Sequence, residues 1–273
     1  MVGIVLGVLF APVSYGQTDL LPDLVIDQDL LLDYEFVNDI IPGWVHIRLT
    51  NAVANIGLGP MRVLPDVGDI GTLRQPILQR ISVDNNGDLE EDTFFDRVAG
   101  EFIFHPSHDH FHVAAWAQMR IREVLPGDGV GDILFTGHKT SFCLLDSARY
   151  FGEPALGNVN SFRTFRFCES GIQGVSVGWE DIYTKELPDQ WINISGMGPG
   201  EYWIESEADP NNVILELDET NNIARVKITV TAGEIPAAIP VRIQTRFLVL
   251  LMCMLMVMGA IQLRGLSLQW ERD

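Results

Sequence analysis

Basic residues are the first scarcity in this chain. Before Pro240 there are 14 lysines and arginines against 35 aspartates and glutamates. So few cations cannot neutralise a run of phosphates, which excludes a general nucleic-acid binder. The same acidic field concentrates cationic ligands such as amines. Cysteine is scarce too: Cys143, Cys168 and Cys253 cannot make a disulfide framework. They leave room for one bridge between the first two in an exported protein. No long amphipathic helix and no internal repeat is legible in the body of the chain. Histidine numbers only six, yet four of the six fall between His105 and His112.

What is present reads as β structure between two apolar ends. Met1 to Phe10 is an apolar run, and Ser14 and Gly16 form a small-x-small site before Gln17, so residues 1–16 read as a secretory signal peptide. At the other end, Phe247 to Leu263 is 17 residues without a charge. That is just long enough to span a bilayer, and it shows no polar face. The expected order is a signal peptide (1–16), a single folded domain (17–235), a linker (236–246), a transmembrane helix (247–263) and a short cytoplasmic tail (264–273). The body would then lie outside the cytoplasm, periplasmic or at the cell surface, anchored by the C-terminal helix. Strand alternation marks Trp44–Leu49, Tyr202–Glu207 and Ala224–Val230. Turn signals fall at Asn86-Gly87, Pro126-Gly127-Asp128-Gly129, Pro199-Gly200 and Asp209-Pro210. The fold class is mostly β, a β-sandwich-like single domain with long loops.

His108, His110 and His112 form an H-x-H-x-H pattern, which in an extended segment turns three imidazoles to one face. In a flat strand the outer pair would sit ~13 Å apart, so one ion bound by all three requires curvature near Pro106 and Ser107. An all-imidazole set suits copper or zinc better than magnesium or calcium. The stretch Asp84–Asp92 looks faintly like a calcium loop, but Leu89 and Phe95 occupy positions that need glycine and glutamate, so a mobile acidic loop is the expectation.

Further motifs follow in order: Gly137-His138-Lys139-x-Ser141-Phe142-Cys143-Leu144, then Gln173-Gly174-x-Ser176-x-Gly178-x-x-Asp181-x-Tyr183, Gln190-Trp191-Ile192, Pro199-Gly200-x-Tyr202 and Glu216-x-Asp218-x-x-Asn221-Asn222. With Pro22-Asp23-Leu24-Val25 and the histidines, they resemble the lysyl oxidase family of copper- and quinone-dependent amine oxidases, in a bacterial-type form. The resemblance spans about Pro22 to Val230.

The resemblance implies that His108, His110 and His112 bind copper and that Lys139 and Tyr183 become a lysine tyrosylquinone cofactor. It implies oxidative deamination of primary amines, peptidyl lysine included, to aldehydes, with O2 consumed and ammonia and hydrogen peroxide released. No ordinary side chain is a two-electron sink of that kind, so the chain must build one. A redox-silent zinc ion could not build it, which selects copper. Asp181 matches a family acid and is the candidate base that removes the substrate proton. Asp23, Leu24 (by its carbonyl), Glu216, Asp218, Asn221 and Asn222 match a calcium site of some members. Departures exist. Gln118-Met119 stand where animal members carry a histidine, and Ser107 replaces a usual half-cystine, leaving Cys143 and Cys168 to pair with each other or stay reduced. The alternative function is a catalytically silent, metal-binding β-sandwich interaction module, since the Asp218-x-Thr220-Asn221-Asn222 region also resembles bacterial cell-surface domains. A histidine-ligated oxygenase or zinc hydrolase would leave Lys139 and Tyr183 unexplained.

Overall fold

The computed structural model describes residues 16–66, 73–106, 108–168 and 171–237. The signal-peptide reading, except Gly16, and the transmembrane and tail readings lie outside these residues, as does most of the linker. Among the described residues no helix is long and apolar enough to cross a membrane. Among the described elements the 3-10 turn Leu30–Leu32 stands among strands, so the mostly-β expectation holds.

The strands divide among four sheets. The largest is built on the hairpin of Arg74–Asp84 and Thr93–His105, flanked by Met61–Pro65 with Gln173–Val175 on one side and His110–Val113 on the other. The first part of the Arg74–Asp84 strand alternates with the period of two of an extended chain, with Gln75, Ile77, Gln79 and Ile81 buried. Its pairing register shifts between Pro76 and Leu78, a bulge that tolerates the proline. A second sheet orders Gly129–Thr136, Ala117–Leu125, Gly200–Ala208 and Ile223–Val230. A third orders Ala148–Arg149, Trp179–Tyr183, Asn51–Asn55 and Leu24–Ile26. The fourth orders Trp191–Asn193, His46–Leu49 and Tyr34–Val37. Their inner faces share one core, in which Phe102, Trp116, Met119, Ile121 and Phe142 are buried.

One segment behaves differently from its sequence reading, and one open alternative is decided. The Asp84–Asp92 stretch is not a loose acidic loop: the Asp84 carboxylate accepts the backbone N–H groups of Asn86, Gly87 and Leu89, and Asn85 donates to Asp92. Asp84 spends both of its oxygens on the turn itself. Cys143 and Cys168 are disulfide-bonded, with Cα atoms 5.7 Å apart.

The second sheet holds a fully buried charge. Glu205 stands directly across from Arg120 on one neighbour and Arg225 on the other. It accepts from both guanidinium groups and from Arg122. Burial alone would raise its pKa, but the Arg225 and Arg120 hydrogen bonds outweigh burial and hold it below the usual range. Removing one partner of a buried ion cluster costs about 3–5 kcal/mol. Glu205→Ala is therefore expected to lower the urea midpoint by roughly that free energy. An unchanged midpoint would show that the cluster does not brace the sheet.

Candidate functional site

The histidine cluster is made by a tight turn rather than by a long strand. His105 pairs with His110 across a hairpin. The N–H groups of His108 and Asp109 both donate to the His105 carbonyl, and Asp109 takes φ +56°. The turn folds His108 back over the strand that carries His110 and His112. His108 Nδ1 lies 3.3 Å from His112 Nε2, and His110 Nε2 lies 3.1 Å from the same nitrogen. The curvature that one ion would need is thus supplied where the His108 and Asp109 N–H groups share the His105 carbonyl. His105, which spacing alone leaves out of the H-x-H-x-H set, stacks on His108 at 4.2 Å and on His112 at 4.8 Å. Ligand atoms of His105, His108 and His112 lie within 4.8 Å of one another. Burial lowers the His112 pKa to about 3 and, with the neighbouring rings and Lys139, lowers that of His108. Neutral imidazoles with converging nitrogens fit a copper ion.

Lys139 reaches the same place by backbone docking. Val113 and Phe142 exchange two backbone hydrogen bonds, and Trp116 donates to the Thr140 carbonyl. The Gly137–Leu144 segment is thereby laid along the end of the histidine strand. The Lys139 side chain is 8% exposed; Nζ donates to the Pro188 carbonyl and lies 5.1 Å from the Tyr183 ring centre. Burial lowers its pKa, with Asp189 and Asp181 working in the opposite direction. Tyr183 sits at the end of the Trp179–Tyr183 strand, and its hydroxyl donates to the Cys143 carbonyl at 2.6 Å and accepts from the Cys143 N–H at 2.9 Å. Its ring meets Phe142 edge-on at 4.7 Å. Burial, then Asp181, pushes the phenol well above its ordinary pKa.

Asp181 lies two residues before Tyr183 on the same face of that strand. It is buried at 2% exposure, with Oδ1 accepting weakly from the Leu145 N–H at 3.4 Å and Oδ2 lacking a hydrogen-bond partner. Burial drives its pKa well above the carboxylate range. Gln118 donates to the Gly137 and Met119 carbonyls.

Five of the six residues of the calcium reading hydrogen-bond among themselves. Glu216 accepts from the Leu24 N–H and the Asn222 amide, and Asn221 donates to Asp23. Asp218 instead accepts from Thr220. Burial pushes Glu216 up to about 9 and also raises Asp23. The side-chain oxygens of Asn221 and Asn222 are buried without partners. Orphaned oxygens beside buried acids are a donor set that fits a hard divalent cation.

Two features had no usable sequence signal. Asp189, with φ +67°, neighbours Lys139 electrostatically and lies 3.6 Å from His138. The two sulfurs of the disulfide lie within 4.8 Å of a ring nitrogen of His110.

The family model described as Lysyl oxidase matches residues 77–238. Human lysyl oxidase homolog 1 is 33% identical over 135 residues, covering 49% of this chain and 21% of that protein. Mouse lysyl oxidase homolog 4 is 32% identical over 126 residues, 46% of this chain and 15% of the relative. Lysyl oxidase homolog 2 of Xenopus laevis is 30% identical over 145 residues, 53% and 17% respectively. The matched segments span at most about a fifth of the length of these relatives. With a family model matched over more than half of its length, the chain belongs to the lysyl oxidase family.

Proposed function

We propose that this chain is a copper-dependent amine oxidase that converts primary amines to aldehydes through a quinone made from Lys139 and Tyr183. The observation that carries the reading is the Lys139 amine lying 5.1 Å from the Tyr183 ring centre, close enough to the imidazoles to lower His108 and His112 electrostatically. His108, His110 and His112 would hold the metal. Copper with O2 supplies the oxidation that turns a phenol ring into a quinone.

The remaining work falls to this chain's side chains. Burial increases the neutral, nucleophilic fraction of Lys139, as addition to an oxidised ring requires. The paired bonds from Cys143 hold the Tyr183 oxygen, so the ring edge presented to Lys139 is fixed. In its ionised form Asp181, with a raised pKa and an unpartnered oxygen, is a stronger proton acceptor than an ordinary carboxylate and takes the α-proton of the substrate amine. The acidic surface draws cationic amines, including peptidyl lysine. A silent interaction module would leave the Lys139–Tyr183 juxtaposition without a purpose. Export agrees with the disulfide, and residues 247–263 would anchor the domain outside the cytoplasm. Calcium would tie Asp23 and Leu24 to Glu216, Asp218, Asn221 and Asn222.

Copper-loaded protein exposed to oxygen and phenylhydrazine is expected to give, after digestion, a Lys139–Tyr183 crosslinked peptide carrying the hydrazine by mass spectrometry. Its absence would sink the quinone assignment. Tyr183→Phe is expected to bind copper as the parent does and to release no peroxide from simple amines; peroxide at the parental rate would remove Tyr183 from the chemistry.

The calcium reading has a pH signature. Glu216 ionises near 9 in the fold against an ordinary 4.5, so between those values the folded state holds the extra proton and stability falls as pH rises. A divalent cation takes the place of that proton. In chelator, Tm is expected to decline across this window, and calcium to restore it at the alkaline end. Glu216→Gln should flatten the slope and abolish the calcium response. A Tm indifferent to calcium near the top of the window would eliminate the site.

A further inference from the structure

Cys143 and Cys168 form a disulfide placed against a metal-binding imidazole. Both Sγ atoms and a ring nitrogen of His110 lie within 4.8 Å of one another. Cys143 is fully buried, whereas Cys168 and His110 are half-buried. The loop closed by the bridge does not depend on it alone. The Asp146 carboxylate accepts the N–H groups of Thr164, Phe165 and Ser176 and the Ser176 hydroxyl, fastening both ends of the loop independently.

Reduction of the bridge changes the donor set. Two thiolates and one imidazole are soft-to-borderline ligands, which select monovalent copper over harder ions. The Cα atoms are 5.7 Å apart, a separation from which two thiolates reach a single ion at metal–sulfur distances of about 2.3 Å. His110 is shared, since its Nε2 lies 3.1 Å from His112 Nε2 in the imidazole cluster.

We propose that reduced Cys143 and Cys168 form, with His110, a second, sulfur-rich site for monovalent copper, one ligand exchange from the histidine cluster. An external dithiol supplies two electrons and two protons to the bridge and is itself oxidised to a disulfide, leaving two thiols. Binding of the ion displaces the two thiol protons. Exchange with an external disulfide then restores the bridge, takes up two protons to give the external dithiol, and expels the ion, still monovalent, toward His108, His110 and His112. The bridge thereby controls loading. The Cys143 peptide, whose N–H and carbonyl hold the Tyr183 hydroxyl, is crosslinked again only after the sulfur site has emptied.

The test uses the intact protein in both redox states. It is reduced with a phosphine, freed of it under nitrogen, and titrated with Cu(I) against bicinchoninate, beside the oxidised protein. The reduced form is expected to hold one equivalent about tenfold or more tighter, because it gains two thiolate ligands. X-ray absorption at the copper edge should show two sulfur neighbours at about 2.3 Å. Cys143→Ser with Cys168→Ser should behave as the oxidised parent under both treatments. Equal affinity in the two redox states, or a shell of nitrogen alone in the reduced parent, would overturn the proposal whether or not the variant folds. Neither readout needs the quinone. Failure of the hydrazine adduct would reject the amine-oxidase reading and leave this result standing.

Discussion

The Tyr183 hydroxyl, held by both the N–H and the carbonyl of Cys143, is the contact on which the arrangement of the site depends. It joins two elements 40 residues apart in sequence at one peptide unit. That peptide belongs to a short segment with no long strand of its own, so its backbone groups are satisfied by others. Phe142 pairs with Val113, and Leu144 donates to the Gln173 side chain, whose amide in turn donates to the Phe111 carbonyl. Leu145 points its N–H at Asp181. Histidine strand, lysine segment and tyrosine strand are thus tied through residues 142–145. A buried backbone that must find partners accounts for why three distant motifs meet.

Around this hub the chain carries an unusual load of buried acid. Asp181 and Glu216 lie far above their ordinary values, Glu180 is pushed up to about 8 by burial and by Asp27, and Asp209 to about 6 by burial. Glu205, equally buried, is held low by arginines. The contrast separates two uses of a buried carboxyl. With guanidinium groups directly across the sheet it stays ionised and braces the strands. Without them it holds a proton or awaits a cation, and it becomes a proton acceptor of raised basicity. The proton acceptor and the cation site proposed above both belong to the second class.

Much of the site was legible in the sequence because its parts are local. H-x-H-x-H, the lysine of Gly137-His138-Lys139 and the tyrosine of Trp179-Glu180-Asp181-Ile182-Tyr183 each occupy a few consecutive positions, and their order carries the family. The β character was legible for the same reason: Tyr202–Glu207 and Ala224–Val230 alternate on their own, and both lie within strands. The turn that carries His108 and Asp109 was only half legible. Proline announced a bend, but the fold of His108 back over His112 depends on two N–H groups sharing the His105 carbonyl. The acidic stretch at 84–92 misled because composition suggests a loose loop, whereas Asp84 spends its oxygens on three backbone donors.

The sequence by itself determined the inventory: three imidazoles at alternating positions, a lysine, a tyrosine, few cysteines, and an acidic surface. Those are properties of composition and short-range spacing, which period-two strands convert directly into faces. Tertiary structure alone decided the partnerships. It set His105 against His108 and His112, paired Cys143 with Cys168 beside His110, placed Glu205 among three arginines and brought Lys139 to the Tyr183 ring. Each of these contacts joins residues from different turns or strands. Their distances are fixed by sheet register and by which buried polar groups find one another, and neither quantity is written in a local stretch of chain.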